Sequence, residues 1–244
     1  MNFYAHCYLA RLDGADAAFA LGSMLPDFAG MSGARLVRVD HPEVALGVQH
    51  HHVVDGVFHA APTFVRLCQE SSVRLDAAGV RWGTGRAVAH IGVELLLDGY
   101  LLDDGQADAL YLRALDGGDD AAGHLHWSVA EADARFRRLC RRLHELGANP
   151  DHGSPEVVSD RLHRALAPRP RLAIEDRDSS AVRAEMDRLH DDVRRAAPTL
   201  MSEVHEGLEA HPKRPFGVDL RRGIGDDSCS LRENGSGSPS RSES

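Results

Sequence analysis

The chain is organised around the stretch Gly47-Val48-Gln49-His50-His51-His52-Val53-Val54-Asp55-Gly56-Val57-Phe58-His59, which holds four of its fifteen histidines. If this stretch is helical, His51, Asp55 and His59 follow one another at intervals of four residues. Each interval turns the chain by roughly 40° beyond a full turn and advances it by about 6 Å, so the three side chains share one face. Imidazole nitrogens and carboxylate oxygens are both lone-pair donors, and together they suit a divalent metal ion.

A second stretch, His90-Ile91-Gly92-Val93-Glu94-Leu95-Leu96-Leu97-Asp98, repeats this spacing among mostly apolar residues. A carboxylate in such surroundings is costly unless it is paired, hydrogen-bonded or bound to metal. Either pattern alone could be a chance surface pair, but two helices of this kind facing each other would make a metal site. The predicted ligands are His51, Asp55, His90 and Glu94, and the predicted orienting or acid–base residues are Asp98 and His59.

Two further ligand candidates lie near the N-terminus. His6 sits in an apolar segment, where it is either a core histidine bonded to backbone or a metal ligand. Asp27 follows Pro26, which we expect to end the preceding helix. Asp27 would then lie at a helix start or in a loop, and would either cap the next helix or serve as a ligand.

Composition limits the class of protein. The chain has 244 residues and a net charge of −9, which argues against general binding to nucleic acid or to anionic membranes. No apolar run is long enough for a membrane span, and the four cysteines form no C-x-x-C pair. The N-terminal residues lack the basic start and apolar run of a signal peptide, so a reducing cytoplasm is the expected compartment.

Hydrophobic periodicity of 3.6 residues and the absence of long alternating runs predict an all-α fold. We expect a single-domain helical bundle over residues 1–212 and a disordered tail rich in Ser, Gly, Arg and Glu over residues 213–244. Pro198 is the expected break in the last helix, and Ser128 with Glu131 is the expected capping box of another. The predicted helices are near 1–12, 15–25, 42–59, 62–78, 86–103, 106–115, 129–147, 154–168 and 179–207.

Three segments together resemble the acyl carrier protein phosphodiesterase family: Met1-Asn2-Phe3-Tyr4-Ala5-His6, Gly22-Ser23-Met24-Leu25-Pro26-Asp27-Phe28, and Gly47-Val48-x-x-His51-x-x-x-Asp55. The resemblance covers roughly the first 100 residues. It implies an all-helical fold related to the HD-type metal phosphohydrolases. It also implies that a divalent metal, commonly manganese, is used to remove the 4′-phosphopantetheine group from holo-acyl carrier protein. By this resemblance, His6, Asp27, His51 and Asp55 match the motif positions.

The chain departs from that family at several positions. It has His52 and His59 where the family usually has Arg and Asp, and its pattern His90-x-x-x-Glu94 looks more like zinc-dependent phospholipase C. Mixed His and carboxylate ligands suit Mn, Fe, Zn or Mg, and such a site typically supports phosphoester hydrolysis. The sequence therefore predicts a metal-dependent phosphodiesterase. The alternatives are an enzyme acting on a small phosphodiester or a phospholipid headgroup, and a non-catalytic helical binding protein with a degenerate site.

Overall fold

The computed structural model describes residues 1–212, and helices make up most of this part of the chain. This confirms the prediction of an all-α fold. The predicted disordered tail, residues 213–244, lies outside the described residues. The α-helices are α1 (Phe3–Leu12), α2 (Ala17–Met31), α3 (Pro42–Ala60), α4 (Pro62–Ala77), α5 (Trp82–Asp104), α6 (Asp108–Asp116), α7 (Gly118–Ala122), α8 (Ala132–Leu146), α9 (Pro155–Leu166) and α10 (Ser179–Ala210).

Two short strands were not predicted. β1 (Leu36–Val39) falls in a segment expected to be a loop, and β2 (Leu125–Trp127) pairs with it in antiparallel orientation. Leu36 lies opposite Trp127 and Val39 lies opposite Leu125. Strands of three or four residues are too short for alternating polarity to stand out from chance in the sequence.

The prediction that helices end at Pro26 and Pro198 was wrong. Both prolines lie inside helices, α2 and α10 respectively. A proline removes one backbone hydrogen bond, but Leu25 and Phe28 beside Pro26 are fully buried. Because packing holds both sides of the break, α2 continues to Met31, and Asp27 is a helical residue rather than a capping or loop residue.

Three other predicted boundaries also differ. α5 begins at Trp82, ahead of the start predicted near residue 86, and therefore includes Gly83 and Gly85. The short helix α7 follows α6 in a segment where no helix was predicted. The capping box at Ser128 does not form, because the Ser128 hydroxyl accepts a hydrogen bond from the Arg35 amide and α8 starts only at Ala132. These boundaries depend on tertiary contacts, which cannot be predicted from local sequence.

Two glycines bring α2 and α3 into close contact. A Cβ atom at Gly22 would lie 2.2 Å from the Val44 carbonyl oxygen, and one at Gly47 would lie 2.2 Å from the Phe19 carbonyl oxygen. Any side chain there would push the helices apart. The contact fixes α3 against α2, and one continuous cluster of buried apolar residues extends from Met1 to Leu208.

Within residues 1–212, no helix combines the length and the apolar character that crossing a membrane requires.

Candidate metal centre

The six predicted ligands and His59, which was predicted as an orienting or acid–base residue, converge from four helices. α1 carries His6 and α2 carries Asp27. α3 carries His51, Asp55 and His59, and α5 carries His90 and Glu94. Their ligand atoms form two groups of three, and within each group the atoms all lie within 4.8 Å of one another. We call His6, Asp27 and His51 the buried group, and His59, His90 and Glu94 the open group.

The buried group lies in the protein interior. The side chains of His6 and His51 are 0% and 5% exposed, and their rings stack with centroids 3.9 Å apart. Asp55 adjoins this group, since its Oδ1 lies 3.3 Å from Nε2 of His6 and its Oδ2 lies 3.6 Å from Nε2 of His51. Four lone-pair donors from three helices therefore surround one small volume.

The ring of His51 has a fixed orientation. Its Nδ1 lies 2.9 Å from the carbonyl oxygen of Ser23, and a carbonyl can only accept, so Nδ1 carries the proton. The lone pair of the neutral ring is then on Nε2, which faces Asp55. Metal-binding histidines typically donate their other ring N–H to a carbonyl or carboxylate in this way. The close contact of α2 and α3 at Gly22 and Gly47 brings the Ser23 carbonyl within reach.

The side chains of the open group have more polar partners within the protein than those of the buried group. Nε2 of His59 lies 3.0 Å, and Nε2 of His90 lies 3.1 Å, from Oε1 of Glu94. The two rings stack with centroids 4.9 Å apart. The side chains of His59 and His90 are 34% and 45% exposed, whereas that of Glu94 is 14% exposed. This group therefore faces outward.

The amino group of Met1 lies between the two groups. Its nitrogen is 2.9 Å from Oδ1 of Asp55 and 3.0 Å from Oε1 of Glu94. Burial lowers the pKa of this amine, but Glu94 and Asp55 outweigh that effect and raise it above its usual value. The position between the two carboxylates thus stabilises positive charge.

Burial shifts the pKa values of the buried group strongly. It lowers the pKa of His6 to about 3 and that of His51 to about 4, so both rings are neutral near pH 7. It raises the pKa of Asp27 to about 8. Burial also tends to raise the pKa values of Asp55 and Glu94. Neighbouring histidines and the Met1 ammonium lower them more strongly, so both pKa values lie well below the usual range.

Several buried polar atoms have no hydrogen-bond partner among the described residues. They include both ring nitrogens of His6 and Oδ2 of Asp27. Such atoms are costly to bury in isolation, and they lie where neutral imidazoles meet carboxylates. Two or three imidazoles with one or two carboxylates and no thiolate suit Mn, Fe or Zn. The residues present therefore fit a divalent metal ion.

Asp98 belongs to neither group, although it shares the spacing of His90 and Glu94. Its Oδ1 accepts a hydrogen bond from the Ala5 amide at 2.9 Å, and its Oδ2 accepts one from the Asn2 side chain at 2.5 Å. Burial raises the pKa of Asp98 to about 6, against the opposing effect of Arg161. Asp98 therefore holds the start of α1, which carries His6, and its predicted acid–base role stays a prediction.

The sequence did not reveal how α1 contributes to the site. The stacking of His6 on His51 and the position of the Met1 amine depend on how α1 packs against α3 and α5. Of the two histidines next to His51 in sequence, His50 is buried beside Asp13, with 3.1 Å between Nε2 and Oδ2. His52 is exposed, and its ring centroid lies 5.4 Å from that of His51 in an edge-on contact.

Comparison with protein-family models, curated proteins and solved structures gives no match.

Proposed function

We propose that the protein is a metal-dependent phosphodiesterase. The observation that supports this best is the pair of stacked histidine couples, His6 with His51 and His59 with His90, placed around the carboxylates of Asp55 and Glu94. The same donor set would serve other metal-assisted hydrolyses. The resemblance of the N-terminal motifs to acyl carrier protein phosphodiesterases, and through them to the HD-type phosphohydrolases, favours a phosphodiester.

The buried group would hold the metal together with Asp55, and the open group would complete the site. A bound divalent ion supplies charge neutralisation for phosphate oxygens and lowers the pKa of a bound water. The protein contributes the rest: the Ser23 carbonyl fixes the His51 ring, and Asp98 fixes the start of α1. Neutral His6 and His51 keep their lone pairs available near pH 7, because burial depresses their pKa values.

His59 is the side chain best placed for proton transfer. It is partly exposed, and its Nε2 is 3.0 Å from Oε1 of Glu94. In hydrolysis, a water oxygen bonds to phosphorus and releases one proton to solvent. The bond from phosphorus to the leaving oxygen breaks, and the leaving oxygen takes up a proton. His59 would donate that proton, with its ring positioned by the contact with Glu94.

Holo-acyl carrier protein is the substrate that the resemblance implies, and one surface supports it. Carrier proteins are acidic, so a basic docking surface is required despite the net charge of −9. On α8, Arg137 and Arg141 pair with Asp119, whereas Arg138 and Arg142, each one residue further along the helix, are exposed. These two exposed arginines would contact acidic side chains of the carrier.

The proposal is tested by hydrolysis of bis(4-nitrophenyl) phosphate. We expect activity that chelation removes and that Mn²⁺ or another divalent ion restores. Glu94→Gln should lower kcat by about 10- to 100-fold, because Gln lacks the negative charge that faces His59 and His90 in the open group. Glu70→Gln, an exposed glutamate on α4, is the matched control.

Two results would redirect the proposal. Full activity of Glu94→Gln would show that the open group takes no part in hydrolysis. Metal binding without hydrolysis of any phosphodiester, including holo-carrier protein and glycerophosphodiesters, would leave a metal-binding protein with a degenerate active site.

A further inference from the structure

A groove between α4 and α5 leads directly away from the open group. It encloses about 440 Å³, and His59 and His90 form one end of it. Phe64 joins the groove to the site, because its ring centroid lies 5.2 Å from both imidazole centroids. A molecule bound at the open group would therefore extend into this groove, whose volume is within the range of small-molecule sites, about 300–1,000 Å³.

The far part of the groove carries several large apolar side chains that are exposed. Eight large apolar side chains are exposed within residues 1–212, and three of them, Val65, Val73 and Trp82, line this groove. Val73 and Trp82 are 68% and 69% exposed. Apolar side chains that are exposed singly need no explanation, but a cluster beside a functional site marks a binding surface.

One wall of the groove consists of side chains that recur along one face of α5. On α5, Trp82, Arg86 and His90 are four residues apart, and the same stripe continues to Glu94. The stripe from Trp82 to His90 spans about 12 Å at 1.5 Å per residue. The guanidinium of Arg86 lies 4.9 Å from the centroid of the Trp82 ring, so this end of the groove carries positive charge and disfavours a cationic ligand.

We propose that this groove binds an extended apolar ester group of the phosphodiester substrate, while the phosphate lies at the open group. The proposal rests on the phosphodiesterase function proposed above. It names a substrate class, a phosphodiester with one apolar ester group, that is an alternative to holo-carrier protein, whose pantetheine arm is polar. Apolar contact with Val65, Val73 and Trp82 would contribute binding energy that a small ester cannot obtain. The enzyme would then select substrates by the length of one ester group.

The test uses full-length, metal-loaded protein and 4-nitrophenyl phosphodiesters whose second ester group is methyl, butyl or octyl. Burying one methylene completely raises affinity by about fourfold, and a half-open groove should recover about twofold per methylene. We therefore expect kcat/KM to rise by about 100-fold from methyl to octyl. Val73→Ser and Trp82→Ala should each lower the octyl-to-methyl ratio by at least about threefold.

Val37→Ser is the matched control, because Val37 is also 68% exposed but lies on β1, outside the groove. It should leave the octyl-to-methyl ratio unchanged. Equal kcat/KM for all three esters, or equal loss of the ratio in Val73→Ser and Val37→Ser, would overturn the groove proposal. Hydrolysis of the methyl ester would still stand as support for the phosphodiesterase.

Fluorescence gives a readout that does not depend on catalysis. The chain has two tryptophans, so Trp127→Phe leaves Trp82 as the only one. Octyl phosphate should change the Trp82 emission saturably at concentrations where butyl phosphate does not. This result without any hydrolysis would support the groove while refuting the phosphodiesterase. A response to phospholipid vesicles but not to octyl phosphate would overturn the proposal in favour of a lipid surface.

Discussion

The buried group and the open group use the same residue types in opposite ways. His6, Asp27 and His51 come from three helices, and both ring nitrogens of His6 and Oδ2 of Asp27 lack hydrogen-bond partners among the described residues. His59, His90 and Glu94 come from two helices, and both imidazoles contact the same glutamate oxygen. The buried group is enclosed and leaves several polar atoms without hydrogen bonds, whereas the open group makes its polar contacts internally and faces a groove.

This difference indicates a division of roles. Enclosed donors with few partners gain most from a bound cation, because little within the protein compensates for their loss of water. Partly exposed donors that already hydrogen-bond to one another can exchange those bonds for contacts with substrate. We therefore assign metal retention to the buried group and substrate contact to the open group.

The largest expected effect separates His51 from its neighbour His52. His51→Ala should weaken metal affinity by more than about 100-fold, since it removes a ligand whose ring is already fixed by Ser23. His52→Ala should not change the affinity, because His52 is exposed on the same helix. Competition of the metal-free proteins with a chelator of known affinity measures this. Equal weakening in both variants would point to a general disturbance of α3.

The second prediction concerns the pH dependence of stability without metal. The pKa of His51 is about 4 in the folded protein and about 6.5 when unfolded, so on acidification the unfolded state binds the proton first. The stability from neutral His51 is present above pH 6.5 and is lost as pH falls towards 4. Between pH 7 and pH 5 the loss should be about 2 kcal/mol. Asp27, whose pKa is raised to about 8, acts in the opposite direction.

A comparison of His51→Gln with His52→Gln isolates this contribution. Urea unfolding at pH 7 and pH 5 should show a flatter pH dependence in His51→Gln by about 1–2 kcal/mol. The same pH dependence in both variants would mean that His51 is protonated or accessible in the metal-free protein.

A third prediction concerns Asp98, which supports α1 and so links the stripe on α5 to the buried group. Asp98→Asn should lower the free energy of unfolding by about 1–3 kcal/mol, because an amide cannot replace a carboxylate that accepts several N–H bonds. Asp104→Asn, at the exposed end of α5, should change it by less than about 0.5 kcal/mol. A loss of hydrolysis above 100-fold with full stability would instead support an acid–base role for Asp98.

The smallest expected effect lies outside both groups. Replacing Arg138 and Arg142 with Glu should raise the KM for holo-carrier protein by about three- to tenfold at low ionic strength, and less in high salt. The kinetics with bis(4-nitrophenyl) phosphate should not change. Unchanged kinetics with both substrates would show that this surface does not bind a carrier protein.

The sequence predicted the parts of the site that depend on one helix at a time. The interval of four residues in α3 and α5 correctly placed His51 beside Asp55, and His90 beside Glu94, because helix periodicity is local. It also suggested that Asp98 would share its neighbours' surroundings. Instead, Asp98 binds backbone amides of α1, an arrangement set by tertiary packing.

Local rules failed where packing overrode them. Pro26 was expected to end α2, and only its continuation places Asp27 with His6 and His51. The position of the Met1 amine and the stacking of His6 on His51 join residues more than forty positions apart. Such contacts cannot be predicted from the residue pattern of a single segment, because they depend on how the helices pack.

The most direct test of the metal centre is the metal content of the purified protein. We expect elemental analysis, after incubation with Mn²⁺, Fe²⁺ or Zn²⁺ and removal of free ions, to find at least one ion per chain. Combined replacement of His51 and Asp55 with Ala should abolish this binding while circular dichroism still shows a helical protein. If the unsubstituted protein retains none of the three metals, the residues of the buried group are not metal ligands and the account is wrong.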